Sequence, residues 1–204
     1  LDNVTGAVYD IDYEKVFLLG RQLFPEVDRV YVYSDQTEEG QAQNRLVRKQ
    51  LDKYTKDFPV YFISDTTMGT DDLVKELRDI YPLSFVILTI WQQGEHGGYL
   101  DRDVYCAMFA NESTVPVFTA LDHGLGKGVF GGATTSYDRQ GARLGELAVR
   151  VLKGEPVRSI PVDTLFPVHV FDDNLLRMWR LGHSELPVGS PHRLESAMPK
   201  QISR

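Results

Sequence analysis

The chain holds a single cysteine, Cys106, among 204 residues. One thiol can neither close an internal disulfide nor build a cysteine-based zinc site. Basic residues are also in deficit: 22 Lys and Arg stand against 29 Asp and Glu, a formal charge of −7. A net acidic chain lacks the cationic face that nucleic-acid phosphates require, so nucleic acid is excluded as a partner. The same deficit argues against polybasic docking on anionic lipid. No apolar run is long enough to span a bilayer, and no signal-peptide pattern is present. The five histidines, His96, His123, His169, His183 and His192, are scattered, whereas a metal site needs at least three converging ligands. There is no G-x-S-x-G elbow, no H-E-x-x-H, no P-loop and no G-x-G-x-x-G. No metal, cofactor or catalytic residue is therefore expected. The chain opens on Leu1-Asp2 without Met, which reads as a processed product or an excised segment.

What is present is the composition of a folded domain, 42% apolar and 25% charged. Short apolar runs alternate with helical patterns. The runs are Val30–Tyr33, Val60–Ile63, Phe85–Ile90 and Val117–Thr119. Their starts recur at the spacing of repeated βα units, and their near-continuous Val, Ile, Phe and Tyr content suits strands covered on both faces. Helices are expected over Tyr13–Phe24, Gln41–Tyr54, from Thr70 through Ile80, over Asp101–Asn111, and over Tyr137–Leu152 with its Lys153-Gly154 stop. The sum is a doubly wound, mostly parallel α/β sheet. Past Asp122 the chain turns glycine-rich, with Gly124, Gly126, Gly128, Gly131 and Gly132. Lacking a phosphate-binding pattern, that stretch is read as a flexible turn at a crossover. Val162–Val170 is a β-like run broken by Pro167, a short helix spans Asp172–Arg180, and the segment from Glu185 onward reads as an extended surface strap. The expected division is 1–160 as the α/β lobe, including helix 137–152, and 161–204 as terminal strand, short helix and strap.

In an open α/β sheet, ligands bind outside the carboxyl ends of the strands. Those ends carry Ser34-Asp35, Asp65-Thr66, Trp91-Gln92 and Asp122-His123. Each is polar, which suits a small polar ligand held by several hydrogen bonds with Trp91 as an apolar platform. Solvated loops have the same composition, so both readings stand on the residues alone. Asp122-His123 also suggests acid–base chemistry, but no nucleophile accompanies it, and a polar loop is the preferred reading.

A set of segments in fixed order carries a resemblance. Asn3-Val4-Thr5-Gly6 leads into a helix ending at Leu23-Phe24-Pro25, and Val30–Ser34 follows. Later come Val115-Pro116-Val117-Phe118, Gly131-Gly132, Tyr137-Asp138-Arg139-Gln140-Gly141, Leu144–Glu155 and Ile160-Pro161-Val162. This resembles the ABC-transporter substrate-binding-protein-like family, with a type I periplasmic binding fold. Val170–Asp173, Trp179–Gly182 and Leu186–Ser190 resemble the branch that forms extracytoplasmic sensors of membrane-bound histidine kinases or diguanylate cyclases. The resemblance implies a binding module rather than an enzyme. It implies a periplasmic setting, a membrane helix outside these residues, and an amino acid, sugar or other small solute as ligand, with a homodimer as a further expectation. It places Ser34, Asp65, Trp91, Asp122 and Tyr137 along an interlobe cleft. A solute-binding component of an ABC transporter and a ligand-free docking lobe are the alternatives. Family members carry a first lobe ahead of Asn3, without which helix 137–152 is expected to cover its apolar face on this sheet or on another chain.

Overall fold

A computed structural model describes residues 3–64, 68–94, 98–188, 190 and 192–194. The elements run β1 (Ala7–Tyr9), α1 (Tyr13–Leu23), β2 (Arg29–Tyr33), α2 (Glu38–Leu51), β3 (Val60–Ile63), α3 (Thr70–Arg78), β4 (Ser84–Leu88), α4 (Arg102–Glu112) and β5 (Val117–Phe118). They continue with β6 (Gly131–Thr134), α5 (Tyr137–Leu152), β7 (Asp163–Leu165), β8 (Val168–Asp172), α6 (Asp173–Met178) and β9 (His192–Leu194).

Seven strands form one sheet in the order β3-β2-β4-β5-β6-β8-β9. Pairs from β3 through β6 are parallel, β6 and β8 are antiparallel, and β8 and β9 are parallel. The two-residue alternation of the strands explains the continuous apolar runs. Val30, Val32, Phe85 and Ile87 enter a core closed by α1, α2 and α6, while Tyr33, Val86 and Leu88 enter a core closed by α3 and α4. Both faces are dry, as the doubly wound reading requires.

Local signals set most helix starts. Asp12 accepts from the Lys15 amide at 2.8 Å and Thr37 from the Gly40 amide at 3.0 Å. Thr37 with Glu38 and Glu39 behind it starts α2 three residues earlier than its apolar stripe does. Ser136 caps α5, and Gly154 at φ 90° ends it.

The glycine-rich stretch expected as a turn includes a strand instead. Gly131–Thr134 is β6, buried throughout between β5 and β8. Glycine is needed at Gly131: its φ is 106°, and a Cβ there would sit 2.0 Å from the Val170 carbonyl oxygen. The close backbone approach that builds the strand removes the side chain that would have revealed it.

Helix α5 is not seated on the seven-stranded sheet, one of the two partners expected for it. Its seat is a second sheet, the parallel pair β1–β7, where Ala7, Leu147 and Ile160 form a small core with Val151 and Leu165 beside it. Gln140 Nε2 donates to the Ala7 carbonyl at 3.0 Å, and Arg143 Nε to Asp163 at 2.6 Å. Pro167 interrupts its β-like run because the two halves belong to different sheets, β7 to the pair and β8 to the seven-stranded sheet. The chain thus passes between the two units at three places, residues 10–12, 135–136 and 166–167. The described part of the segment expected as a strap, which ends at Leu194, lies on the lobe: Leu186 is buried in the α1 core, and β9 adds an edge strand beside β8.

Candidate ligand-binding site

The sheet order reverses between β2 and β4, and their carboxyl ends open the crevice where α/β sheets hold ligands. Asp35 ties the two ends together. Its Oδ1 accepts from the Thr37 amide at 3.0 Å and the Thr37 hydroxyl, and its Oδ2 accepts from the Gln92 amide and the Gln93 amide at 3.1 Å. Both oxygens are engaged and the residue is 2% exposed, so this carboxylate latches β2 to β4. Ser34 is equally buried and accepts from Asn44 Nδ2. Trp91, expected as a platform, lies in the α3/α4 core against Tyr33 and Phe109, with ring centroids 6.0 and 5.8 Å away. Gln92 points outward only as far as the Tyr99 hydroxyl, at 3.4 Å. Asp65 and Thr66 lie outside the described residues.

Asp122, His123 and Tyr137 form a different group. Asp122 Oδ2 accepts from the Tyr137 amide at 2.7 Å, so the loop after β5 is pinned to the first turn of α5. Burial, with Asp138 nearby, raises the Asp122 carboxyl above its ordinary range. His123, next in sequence, turns away: its Nε2 faces the Thr89 carbonyl at 3.3 Å, a contact that requires the proton on Nε2. Its Nδ1 is buried without a partner, and burial pulls the ring down to about 4, so it is neutral at pH 7. With their side chains on separate partners, Asp122 and His123 make no acid–base dyad.

Tyr137 meets Tyr9, at the end of β1, edge to face at 5.5 Å. Burial raises the Tyr137 hydroxyl further above its usual value, with Tyr9 contributing. Tyr13, fully buried, gives its hydroxyl to Gln43 at 2.8 Å and lies within electrostatic reach of Tyr137 and Glu39. Arg102 begins α4 and makes no ion pair or hydrogen bond among the described residues. Its charge is felt at Asp122, His123, Tyr105 and Tyr137. The groups in contact are thus those at the end of β1, in the loop after β5 and in the first turn of α5, at the seam between the two units. Tyr9, Tyr13 and Arg102 escaped the sequence reading. Tyr9 ends a three-residue strand that carries no periodic signal, and Arg102 opens a helix whose neighbours in space are remote in sequence. Only the N-terminal placement of Arg102, against the helix dipole, was legible.

No family model matches the chain. Over 56 residues, 28% of this chain and 16% of the relative, it is 36% identical to a tyrosine-binding protein of Clostridioides difficile. Its fold is similar to that of a ligand-free, open substrate-binding protein with adhesive properties from Clostridium difficile. That match has a TM-score of 0.66 and 16% identity, over 95% of this chain and 63% of the other. A conserved domain protein from Vibrio cholerae aligns with a TM-score of 0.64 and 16% identity, over 94% of this chain and 63% of its own. An ABC domain from Streptococcus pneumonia in complex with L-Trp aligns at 0.63 and 14%, over 94% and 65%. The α/β fold is therefore like that of these structures, and this chain spans just under two thirds of their length.

Proposed function

We propose that this chain is the major part of an extracytoplasmic solute-binding protein that takes a small amino-acid-like ligand at the seam between its two units. The observation that carries this reading is the convergence of Asp122, Tyr137 and Tyr9 where the three crossovers pass. A ligand held there touches both units and shifts their relative orientation, the working principle of a hinge-closing receptor. On this reading the β1–β7–α5 unit is the foot of a second lobe that completes the cleft. The names of the relatives support the ligand class: one is a tyrosine-binding protein, and one domain holds L-Trp. Transport rather than signalling is the better-supported role. In support of that, Leu186 and β9 of the segment read as a strap pack on the lobe itself. Sensor output, dimerisation and membrane anchoring would be carried outside these residues, and the proposal does not require them.

The test is a thermal-shift series on the full-length protein with the twenty amino acids, common sugars and nucleosides. A ligand at 100 times its Kd stabilises by about 2.7 kcal/mol through mass action. A rise with one or a few amino acids supports the reading, and a flat series across all classes overturns it.

A further inference from the structure

Trp91 and Tyr99 follow the same strand end and meet opposite surroundings. Trp91 fills the α3/α4 core at 4% exposure, whereas Tyr99, at 70%, is the most exposed of the ten tyrosines. A lone exposed ring is ordinary on a protein surface. This one is carried on a fixed backbone. Residues 92–94 and 98–100 form two antiparallel stems, with Gln93 opposite Tyr99. The Leu100 amide donates to the Gln92 carbonyl and the Gly94 amide to the Gly98 carbonyl, both at 2.7 Å. The stems lie so close that a Cβ on Gly94 would sit 3.2 Å from the Gly98 oxygen. Asp35 holds the first stem by accepting from the Gln92 and Gln93 amides. The second stem runs into α4, where Asp101 caps the helix and accepts from the Asp103 amide at 2.9 Å. Gln92 Nε2 faces the Tyr99 hydroxyl at 3.4 Å, so the ring is held at its polar end while most of its surface stays open. The hairpin also stands beside the seam group. The Thr89 carbonyl, just before the first stem, faces His123 Nε2 at 3.3 Å, and Tyr105, one turn into α4, meets the His123 ring at 6.0 Å. Both stems are therefore rooted against the loop whose Asp122 holds Tyr137.

We infer that Tyr99 is a specificity-determining residue of the proposed site: its ring pairs with the ligand's side chain, so the ligand is an amino acid whose side chain is aromatic. The inference rests on the amino-acid reading proposed above and deepens it by naming the side chain. Binding residues are commonly set on loops that a rigid scaffold positions, and a ring with two χ angles on a fixed backbone has little freedom to lose on contact. Offset or edge-to-face pairing of two rings adds to what burial of area alone contributes, and an aliphatic side chain of equal size cannot reproduce that addition. Tyr9 and Tyr137, edge to face at 5.5 Å, offer the same chemistry from the smaller unit.

The experiment is calorimetric titration of the full-length protein with L-phenylalanine, L-tyrosine, L-tryptophan, L-leucine and L-cyclohexylalanine. The last has the outline and apolar area of phenylalanine without its π face. Wild type, Tyr99→Phe and Tyr99→Leu are compared. Wild type should bind phenylalanine more tightly than cyclohexylalanine. Tyr99→Leu should weaken the aromatic ligands by about 2- to 12-fold, the range measured for ring pairs beyond their buried area, and leave cyclohexylalanine within about twofold. Tyr99→Phe keeps the ring and should keep the preference. The ligand-free melting temperature of Tyr99→Leu should match wild type, because the side chain buries little. Equal weakening of phenylalanine and cyclohexylalanine by Tyr99→Leu, or no weakening of either, overturns the inference. A wild type that prefers aliphatic or polar amino acids leaves the amino-acid reading standing and overturns the inference. If wild type binds none of these compounds nor any other of the twenty amino acids, both fall.

Discussion

The seven-stranded sheet and the β1–β7 pair are made of similar residues and differ in what covers them. Every residue of β4 is buried, and α1 buries six of its 11 residues. In the smaller unit Val8 is 49% exposed, and the 16-residue α5 buries only Leu147. Leu144, Val149 and Leu152 on that helix are 43, 48 and 86% exposed. The amphipathic pattern of α5 is as clear as that of α1. Such a pattern states that a helix will cover one face; it does not say that the cover lies nearby in the chain. A two-stranded sheet is marginal alone, and parallel strands are ordinarily covered on both faces. The lobe is thus the part that holds the fold, and the smaller unit is the part with little cover of its own.

Five measurements would break or sharpen that contrast. The largest effect is expected at Gly131→Ala, where a positive φ and a backbone oxygen 2.0 Å from the new Cβ leave β6 no room. A loss of about 3 kcal/mol or more in urea midpoint is expected, and a neutral result would mean that the β6–β8 register is wrong. Next comes pH. Burial pulls the His123 ring down to about 4 in the folded lobe, from an ordinary 6.5. The unfolded chain therefore binds more protons between those values, and stability rises with pH across that window. About 2–3 kcal/mol should be lost on going from pH 7 to pH 4, and His123→Gln should flatten that part of the curve in parallel urea titrations. A wild-type curve that the variant leaves unaltered would remove His123 as its source.

Leu147→Ala should cost about 2 kcal/mol, the low end for a buried leucine, because its surroundings can collapse. Hydrogen exchange should show the loss at the amides of β1, β7 and α5 and not in β2 or β4. Protection falling equally in both units would make them one cooperative block. Gly154→Ala should cost about 1 kcal/mol: its φ is 90°, yet nothing lies within 4 Å of the new Cβ. A cost near that of Gly131→Ala would erase the contrast between the two regions. The smallest effect belongs to Arg143→Gln, which breaks exposed contacts to Glu146 and Asp163. Its melting curve should fall within the scatter of replicate wild-type melts.

The main strands were legible because each is covered on both faces, so Val30–Tyr33 and Phe85–Leu88 stand out as apolar runs. Strands β1 and β9 have three residues each, and β6 begins with two glycines. None of these carries enough periodicity to register. Among the candidate residues, Asp122 was named for its place at a strand end and Tyr137 through the family resemblance, and a 2.7 Å bond joins them. Asp35 and Trp91 share that kind of position, but one latches β2 to β4 and the other fills a core.

By itself, the order of apolar runs, caps and stops determined a doubly wound lobe, because period and propensity act within a few residues. Tertiary structure alone decided which polar groups at the strand ends are consumed by the protein's own hydrogen bonds. Asp35 and Trp91 both follow strand ends, and the first is taken up by backbone donors while the second fills a core. Hydrogen bonds form or fail over a few tenths of an ångström, a distance set by how segments remote in sequence pack against one another.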